Sequence, residues 1–287
     1  MKNYLFLMLL AGIICLTSCN QSHEGFATSS DGLQISYTDQ GSGEIALVFV
    51  HGWSCDKSYW KNQVPEFSKN YRVVTMDYGG HGNSGTERET FTINSFGDDV
   101  VAVVDKLNLD NVILIGHSMG GDVIIDAASK IPERVIALVG VDTYQQFRDT
   151  TFTQEMFDGM IAPFYKDFKT STDGFVRAMF PESADTALVN QVAQDMSSAD
   201  SRIAMQAFES MFEFGNIIEF LLREMKKPVY AVNAELWPTN EAYNQSIVPG
   251  FKVRYMPGYG HFIMLENPEL FNRLLQATID DIQTGNY

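Results

Sequence analysis

Val112-Ile113-Leu114-Ile115-Gly116-His117-Ser118-Met119-Gly120-Gly121 is the stretch whose reading decides the fold. Its first four residues form a short continuous apolar run, the mark of a strand covered on both faces. Glycine then stands two residues before Ser118 and two residues after it. That spacing permits a sharp turn from strand to helix, where larger side chains would collide with neighbouring backbone. The segment from Gly121 to Lys130 is helix-like and stops before Pro132. Such a turn lifts the Ser118 hydroxyl to the carboxyl edge of a sheet, beside the positive end of a helix.

The same alternation extends outward. Ile45–Val50 (IALVFV), Tyr71–Met76 (YRVVTM) and Val135–Val141 (VIALVGV) are further buried-strand runs. Leu33–Tyr37 follows the Asp31-Gly32 turn and alternates as a half-buried strand should. Between Thr92 and Leu107, Ile93, Phe96, Val100, Val103, Val104 and Leu107 fall at helical spacing. Buried strands alternating with amphipathic helices imply an α/β fold, a mostly parallel sheet flanked by helices. From Tyr144 to Lys227 the strand runs stop and Phe and Met crowd in, as at Phe157, Phe175, Met179, Phe208 and Met211. This reads as a helical cap inserted into the sheet. Pro228–Val232 and Phe251–Met256 resume the strands, and Pro268–Ile282 closes the chain as a helix. The expected division is a core of residues 31–143 and 228–287 with a cap of residues 144–227.

The chain has 287 residues, of which 45% are hydrophobic, 12% aromatic and 20% charged. This is globular composition, long enough for a large core. Asp and Glu outnumber Lys and Arg by 36 to 20, a formal charge of −16. So acidic a surface repels phosphate backbones and excludes nucleic-acid binding as the main role. It also opposes electrostatic docking on anionic lipid. There is no His-x-x-x-His or Cys-x-x-Cys spacing for a metal, and no Gly-Lys-Ser/Thr for a phosphate loop. The reading therefore calls for no metal and no cofactor.

The first residues read as an address. Lys2 precedes an apolar or small run from Tyr4 to Leu16, too short for a spanning helix of roughly 20 residues. It fits a secretory signal over residues 1–18. Leu16-Thr17-Ser18-Cys19 resembles the bacterial lipoprotein box, which implies lipidation of Cys19 and an envelope location, periplasmic or surface-facing. Membrane attachment is then through that lipid only. The mature chain keeps Cys55 as its one thiol in the folded part, so no internal disulfide is expected. Residues 19–30 are polar and small and read as a lipidated tether, with His23 in it.

With Gly116-His117-Ser118-Met119-Gly120 set between a buried strand and a helix, the chain resembles the α/β-hydrolases. Three further segments match that family on the expected elements. His51-Gly52-Trp53 follows the Ile45–Val50 strand like the family's oxyanion loop. Asp77-Tyr78-Gly79-Gly80-His81-Gly82-Asn83-Ser84 resembles its Asp-x-x-Gly-x-Gly-x-Ser loop. Gly258-Tyr259-Gly260-His261-Phe262 follows the last strand, where the family keeps its catalytic His. The resemblance implies a serine hydrolase with Ser118 as nucleophile and His261 as base. It implies an oxyanion hole from the N–H groups of Met119 and Trp53, with the Trp53 indole lining the acyl pocket. Among the other histidines, His23 lies in the tether, His51 and His81 are expected to brace loops, and the turn points the His117 side chain away from Ser118.

The triad acid breaks the pattern. The family's Gly-x-x-Asp loop corresponds to Ala234-Glu235-Leu236-Trp237, so Trp237 stands where the Asp is expected. An indole cannot accept the hydrogen bond that orients a His. Asp142, directly after the Val135–Val141 strand, is the first candidate, because some relatives supply their acid there. Glu235 is the second, and a broken triad is the third. Asp122 and Asp126 read as helix residues, Asp122 favoured by the helix dipole. The expected activity is cleavage of an ester-like bond in a small or medium apolar acyl substrate, with Trp53 and Trp237 against that substrate. C–C bond hydrolysis, lactone opening and perhydrolysis are alternatives on the same fold. A surface lipoprotein that binds without catalysis is the alternative from another class. The sequence leaves the oligomeric state open.

Overall fold

The apolar runs pair into one sheet. The computed structural model describes residues 22–148 and 151–285. Its strands are β1 (His23–Thr28), β2 (Gln34–Gly41), β3 (Ala46–Val50), β4 (Arg72–Met76), β5 (Val112–His117), β6 (Val135–Val141), β7 (Val229–Ala234) and β8 (Lys252–Met256). They lie in the order β1-β2-β4-β3-β5-β6-β7-β8. β1 and β2 pair antiparallel, as do β2 and β4, and every other neighbouring pair is parallel. The apolar strands β3 and β5 are buried along their whole length, as a sheet covered on both faces requires.

Helices cover those faces. α1 (Val64–Phe67) lies between β3 and β4, and α2 (Ile93–Lys106) between β4 and β5. Thr92 caps α2 in a reciprocal box with Ser95, and Ile93, Phe96, Val100, Val103 and Val104 form its buried face. α3 (Met119–Lys130) follows β5 directly. Between β6 and β7 come α4 (Gln154–Lys166), α5 (Phe168–Arg177), α6 (Thr186–Ser197), α7 (Ser201–Phe214) and α8 (Ile218–Met225). α9 (Glu241–Ile247) joins β7 to β8, and α10 (Ile263–Glu266) and α11 (Pro268–Thr284) end the described chain. No described helix is long and apolar enough to cross a membrane.

This topology positions the site. β3 has β4 on one side and β5 on the other, so the strand order reverses there. The crevice beyond the carboxyl ends of strands at such a reversal is where open α/β sheets hold ligands. The inserted helices close over it. The Trp53 indole, from the loop after β3, donates to the Ala204 carbonyl of α7 at 2.7 Å. Its ring packs against Phe164, Phe168, Phe175 and Phe208 at centroid distances of 5.0 to 6.2 Å. Much of the Phe and Met content therefore holds the insert to itself and to the core, and the remainder walls the crevice.

One expectation is corrected. Residues 23–28, read as part of a tether, form the edge strand β1 paired along β2. Ala27 is buried while Phe26 is exposed, so the segment has only a thin apolar face of its own. Its order comes from the ladder and from Ser29, whose hydroxyl donates to buried Asp99 at 2.6 Å. The signal segment and Cys19 lie outside the described residues.

Asp99 ties four segments together. It takes hydrogen bonds from Ser29, from the Gly79 N–H at 2.9 Å and from the Arg88 guanidinium at 2.6 Å, and Arg88 also pairs with Asp31. Deleting one member of a buried pair strands the other charge. Asp99→Ala is expected to lower the unfolding free energy by about 3 kcal/mol in urea denaturation. A loss under about 1 kcal/mol would contradict this assignment.

Candidate functional site

The site begins with the backbone of Ser118. Its φ is 53° and its ψ −123°, a conformation that side-chain-bearing residues rarely adopt. The neighbours enforce it. A methyl group on Gly116 would lie 2.2 Å from the Gly120 carbonyl oxygen. One on Gly120 would lie 2.7 Å from the carbonyl oxygens of Val50 and His51. β5 and α3 can therefore meet at so tight an angle only with glycine at both positions. The Ser118 N–H donates to the Val141 carbonyl at 3.1 Å, which fastens the turn to the end of β6.

His261 and Asp142 meet across the same crevice. His261 Nδ1 lies 2.6 Å from Asp142 Oδ2, and both residues are buried. The carboxylate oxygen accepts, so Nδ1 is the donor and Nε2 is the ring nitrogen left for other partners. The other oxygen, Asp142 Oδ1, accepts from the Ala234 N–H at 2.8 Å. Asp142 sits at φ 45°, just past β6, a conformation that a short polar residue tolerates better than most. Glu235, the second candidate acid, is exposed at the end of β7, while the imidazole bond goes to Asp142. Trp237 packs edge-on to the His261 ring at 5.6 Å and is 38% exposed.

Ser118 and His261 line two cavities in common. One, of about 60 Å³, is walled by Trp53, Phe175, Met196, Phe208 and Met211 and is mostly apolar. The other, of about 410 Å³, reaches Asp122, Asp142, Gln145 and Trp237. Among the described residues the backbone N–H groups of Trp53 and Met119 make no hydrogen bond to the chain. They remain as free donors beside Ser118, Met119 at the first position of α3.

The buried histidines brace this arrangement. His51 Nδ1 donates to the Gly52 carbonyl at 2.9 Å, and its carbonyl accepts from the Tyr78 hydroxyl at 2.6 Å. His81 Nδ1 donates to the Gly79 carbonyl at 3.1 Å. His117 Nε2 donates to the His261 carbonyl at 3.0 Å, joining the end of β5 to the loop after β8. Burial holds His117 well below the ordinary imidazole range, and burial with the neighbouring His51 pushes His81 down to about 3. The Cys55 thiol is buried and pushed up by desolvation, so it stays protonated and unreactive.

Residues 45–218 match the family described as the alpha/beta hydrolase fold. The chain belongs to the alpha/beta hydrolase family. Among curated proteins it is similar to the karrikin insensitive 2 receptor CA of Petunia hybrida, 23% identical over 80% of this chain and 90% of that one. It is also similar to the bifunctional esterase/perhydrolase of Acinetobacter calcoaceticus, 33% identical over 39% of this chain and 42% of that one. Among solved structures it resembles a thermophilic esterase from Thermogutta terrifontis, with a TM-score of 0.78 and 21% identity, covering 91% of this chain and 99% of that one. At that identity the structural likeness is one of fold.

Three residues of this alpha/beta hydrolase site were not read from the sequence. His117 braces the His261 loop, as above. Glu266 accepts from the N–H groups of Gly260 at 3.0 Å and Phe262 at 3.2 Å, fixing that loop from the other side. Met179, in the insert, accepts the His261 N–H through its carbonyl at 2.9 Å. A backbone carbonyl leaves no sequence signal, and the Glu266 spacing is legible only once the loop is known to turn back.

Two outcomes follow from this geometry. Ser118→Gly removes the strain of the positive φ and is expected to raise the unfolding free energy by about 1 kcal/mol; unchanged or lower stability would contradict the strain. His81 and His117 are expected to stay neutral between pH 8 and pH 5, with ring nitrogen NMR shifts that do not titrate. The sign is that the unfolded chain takes up these protons below about 6.5 and the folded chain does not. Their burial therefore withdraws stability as pH falls below that value. Titration of either ring near its ordinary value would contradict the packing.

Proposed function

We propose that the protein is a serine hydrolase that cleaves esters of small apolar acyl groups. The Ser118 hydroxyl attacks the carbonyl carbon while His261 Nε2 takes its proton. Asp142 holds the imidazole in the productive tautomer and stabilises it once it is charged. The negative oxygen of the tetrahedral intermediate is received by the N–H groups of Met119, in the tight turn, and of Trp53, in the loop after β3, donors fixed in place before the reaction. His261 then protonates the leaving alkoxide, and water, activated by the same imidazole, releases the acid. The observation that carries this reading is the buried His261–Asp142 bond, in a cavity that Ser118 shares.

The apolar cavity of about 60 Å³ suits a short acyl chain. The esterase/perhydrolase relative is consistent with acyl transfer through such a site. The lipoprotein-like start of the chain supports anchoring through Cys19 in a bacterial envelope. Trp237 at the family's usual acid position favours a second reading, a module that binds without turnover. The position of Asp142 weighs against it, because an acid from the end of β6 reaches the same imidazole nitrogen.

Variant kinetics on a short-chain nitrophenyl ester test both readings. Asp142→Asn is expected to lower kcat roughly 10³-fold or more, while Glu235→Gln stays within about twofold of the parent. A large loss in the Glu235 variant with none in the Asp142 variant would overturn the assignment. Absence of turnover in the parent protein with every ester tried would favour the binding module.

A further inference from the structure

The two cavities that meet at Ser118 differ in chemistry. The smaller is walled by aromatic and Met side chains. The larger is lined by Asp122, one turn into α3 from Ser118, together with Gln145 and Trp237. Among the described residues, no hydrogen bond or ion pair takes the Asp122 carboxyl. The dipole of α3 favours its charge, but the surrounding packing opposes it more strongly, and desolvation pushes the carboxyl up to about 7. It is only partly exposed, and it lines the cavity.

The groups around it supply no cation. No Lys or Arg lines this cavity. Asp142 and His261 already pair with each other. The Tyr144 hydroxyl is spent on the Gly121 carbonyl and the Tyr78 hydroxyl on the His51 carbonyl. A half-buried carboxyl without a partner is a costly arrangement that a bound cation relieves. Trp237 adds an aromatic ring to the same cavity, a second feature that attracts a cation.

We propose that the larger cavity is the leaving-group subsite and that Asp122 selects alcohols bearing a protonated amine, with Trp237 packing on the ammonium group. This rests on the serine hydrolase reading. In the step, the bond from Ser118 Oγ to the acyl carbon forms and the bond from that carbon to the alkoxy oxygen breaks. The Ser118 proton passes through His261 to the alkoxide, so a neutral hydroxyl leaves while the ammonium keeps its own charge. Water then restores Ser118 and frees the carboxylic acid.

Two propanoate esters of matched shape test the proposal, one of dimethylaminoethanol and one of 3-methylbutanol. The ratio of their kcat/KM values is compared between the parent protein and Asp122→Asn, so the intrinsic reactivity of each ester cancels. The ratio is expected to fall by about tenfold in the variant. An unchanged ratio overturns the proposal, including the case in which both rates drop together. Calorimetric titration of Ser118→Ala with the two free alcohols is the second arm and needs no change at Asp122. Binding of the amino alcohol at least about tenfold tighter than the other supports the subsite, and equal binding overturns it. Amine preference without ester turnover would defeat the hydrolase reading, and with it the leaving-group role, and leave only an amine-binding cavity. Turnover without amine preference would defeat the subsite and leave the hydrolase reading standing.

Discussion

The structure depends on one backbone conformation, that of Ser118 at φ 53° and ψ −123°. The turn from β5 into α3 is tight because two glycines let the strand and helix backbones approach where no methyl group fits. Three consequences follow from that single constraint. Ser118 is placed at the carboxyl end of β5, where it lines both cavities. The first N–H of α3 is left free beside it. And α3 starts close enough to β3 for the Trp53 loop to share the same cavity. Strain of this kind persists only when the surroundings over-determine it, as buried β3, β5 and β6 do here.

The second requirement is delivery of the imidazole from the far end of the chain. His261 reaches the crevice on a loop held on three sides, by His117 from β5, by Glu266 from α10 and by the Met179 carbonyl from the insert. Gly260 is needed in that loop because a side chain there would strike the Met179 carbonyl oxygen at 2.4 Å. The inserted helices thus do more than cover the cavity. They set the position of the ring whose Nδ1 meets Asp142. Both ends of the candidate triad are anchored to neighbouring strand ends, since the Asp142 carboxylate also accepts from the Ala234 N–H at the end of β7.

Much of this was legible from the residues, for physical reasons. Strands buried on both faces advertise themselves as unbroken apolar runs, so β3 and β5 were read within a residue or two. The glycine spacing around Ser118 is legible because the close approach admits no other residue. β1 was not legible, since its polar stretch gains order only from a ladder with β2 and from Asp99. The choice between Asp142 and Glu235 could not be made from the chain, because their separation in sequence from His261 carries no information about reach. Trp237 could be placed in the expected acid loop, but its edge-on contact with the His261 ring depends on how that loop folds. Asp122 looked like an ordinary helix-start acid, and only the coordinates reveal that it lines the cavity it shares with Ser118 and His261.

The central claim is that Ser118 is an activated nucleophile. Intact-protein and peptide mass spectrometry after treatment with a fluorophosphonate tests it most directly. The account predicts a single adduct on Ser118, formed by the parent protein and lost when His261 is replaced by Ala. An unlabelled protein, or a label on another residue with Ser118 untouched, would contradict it.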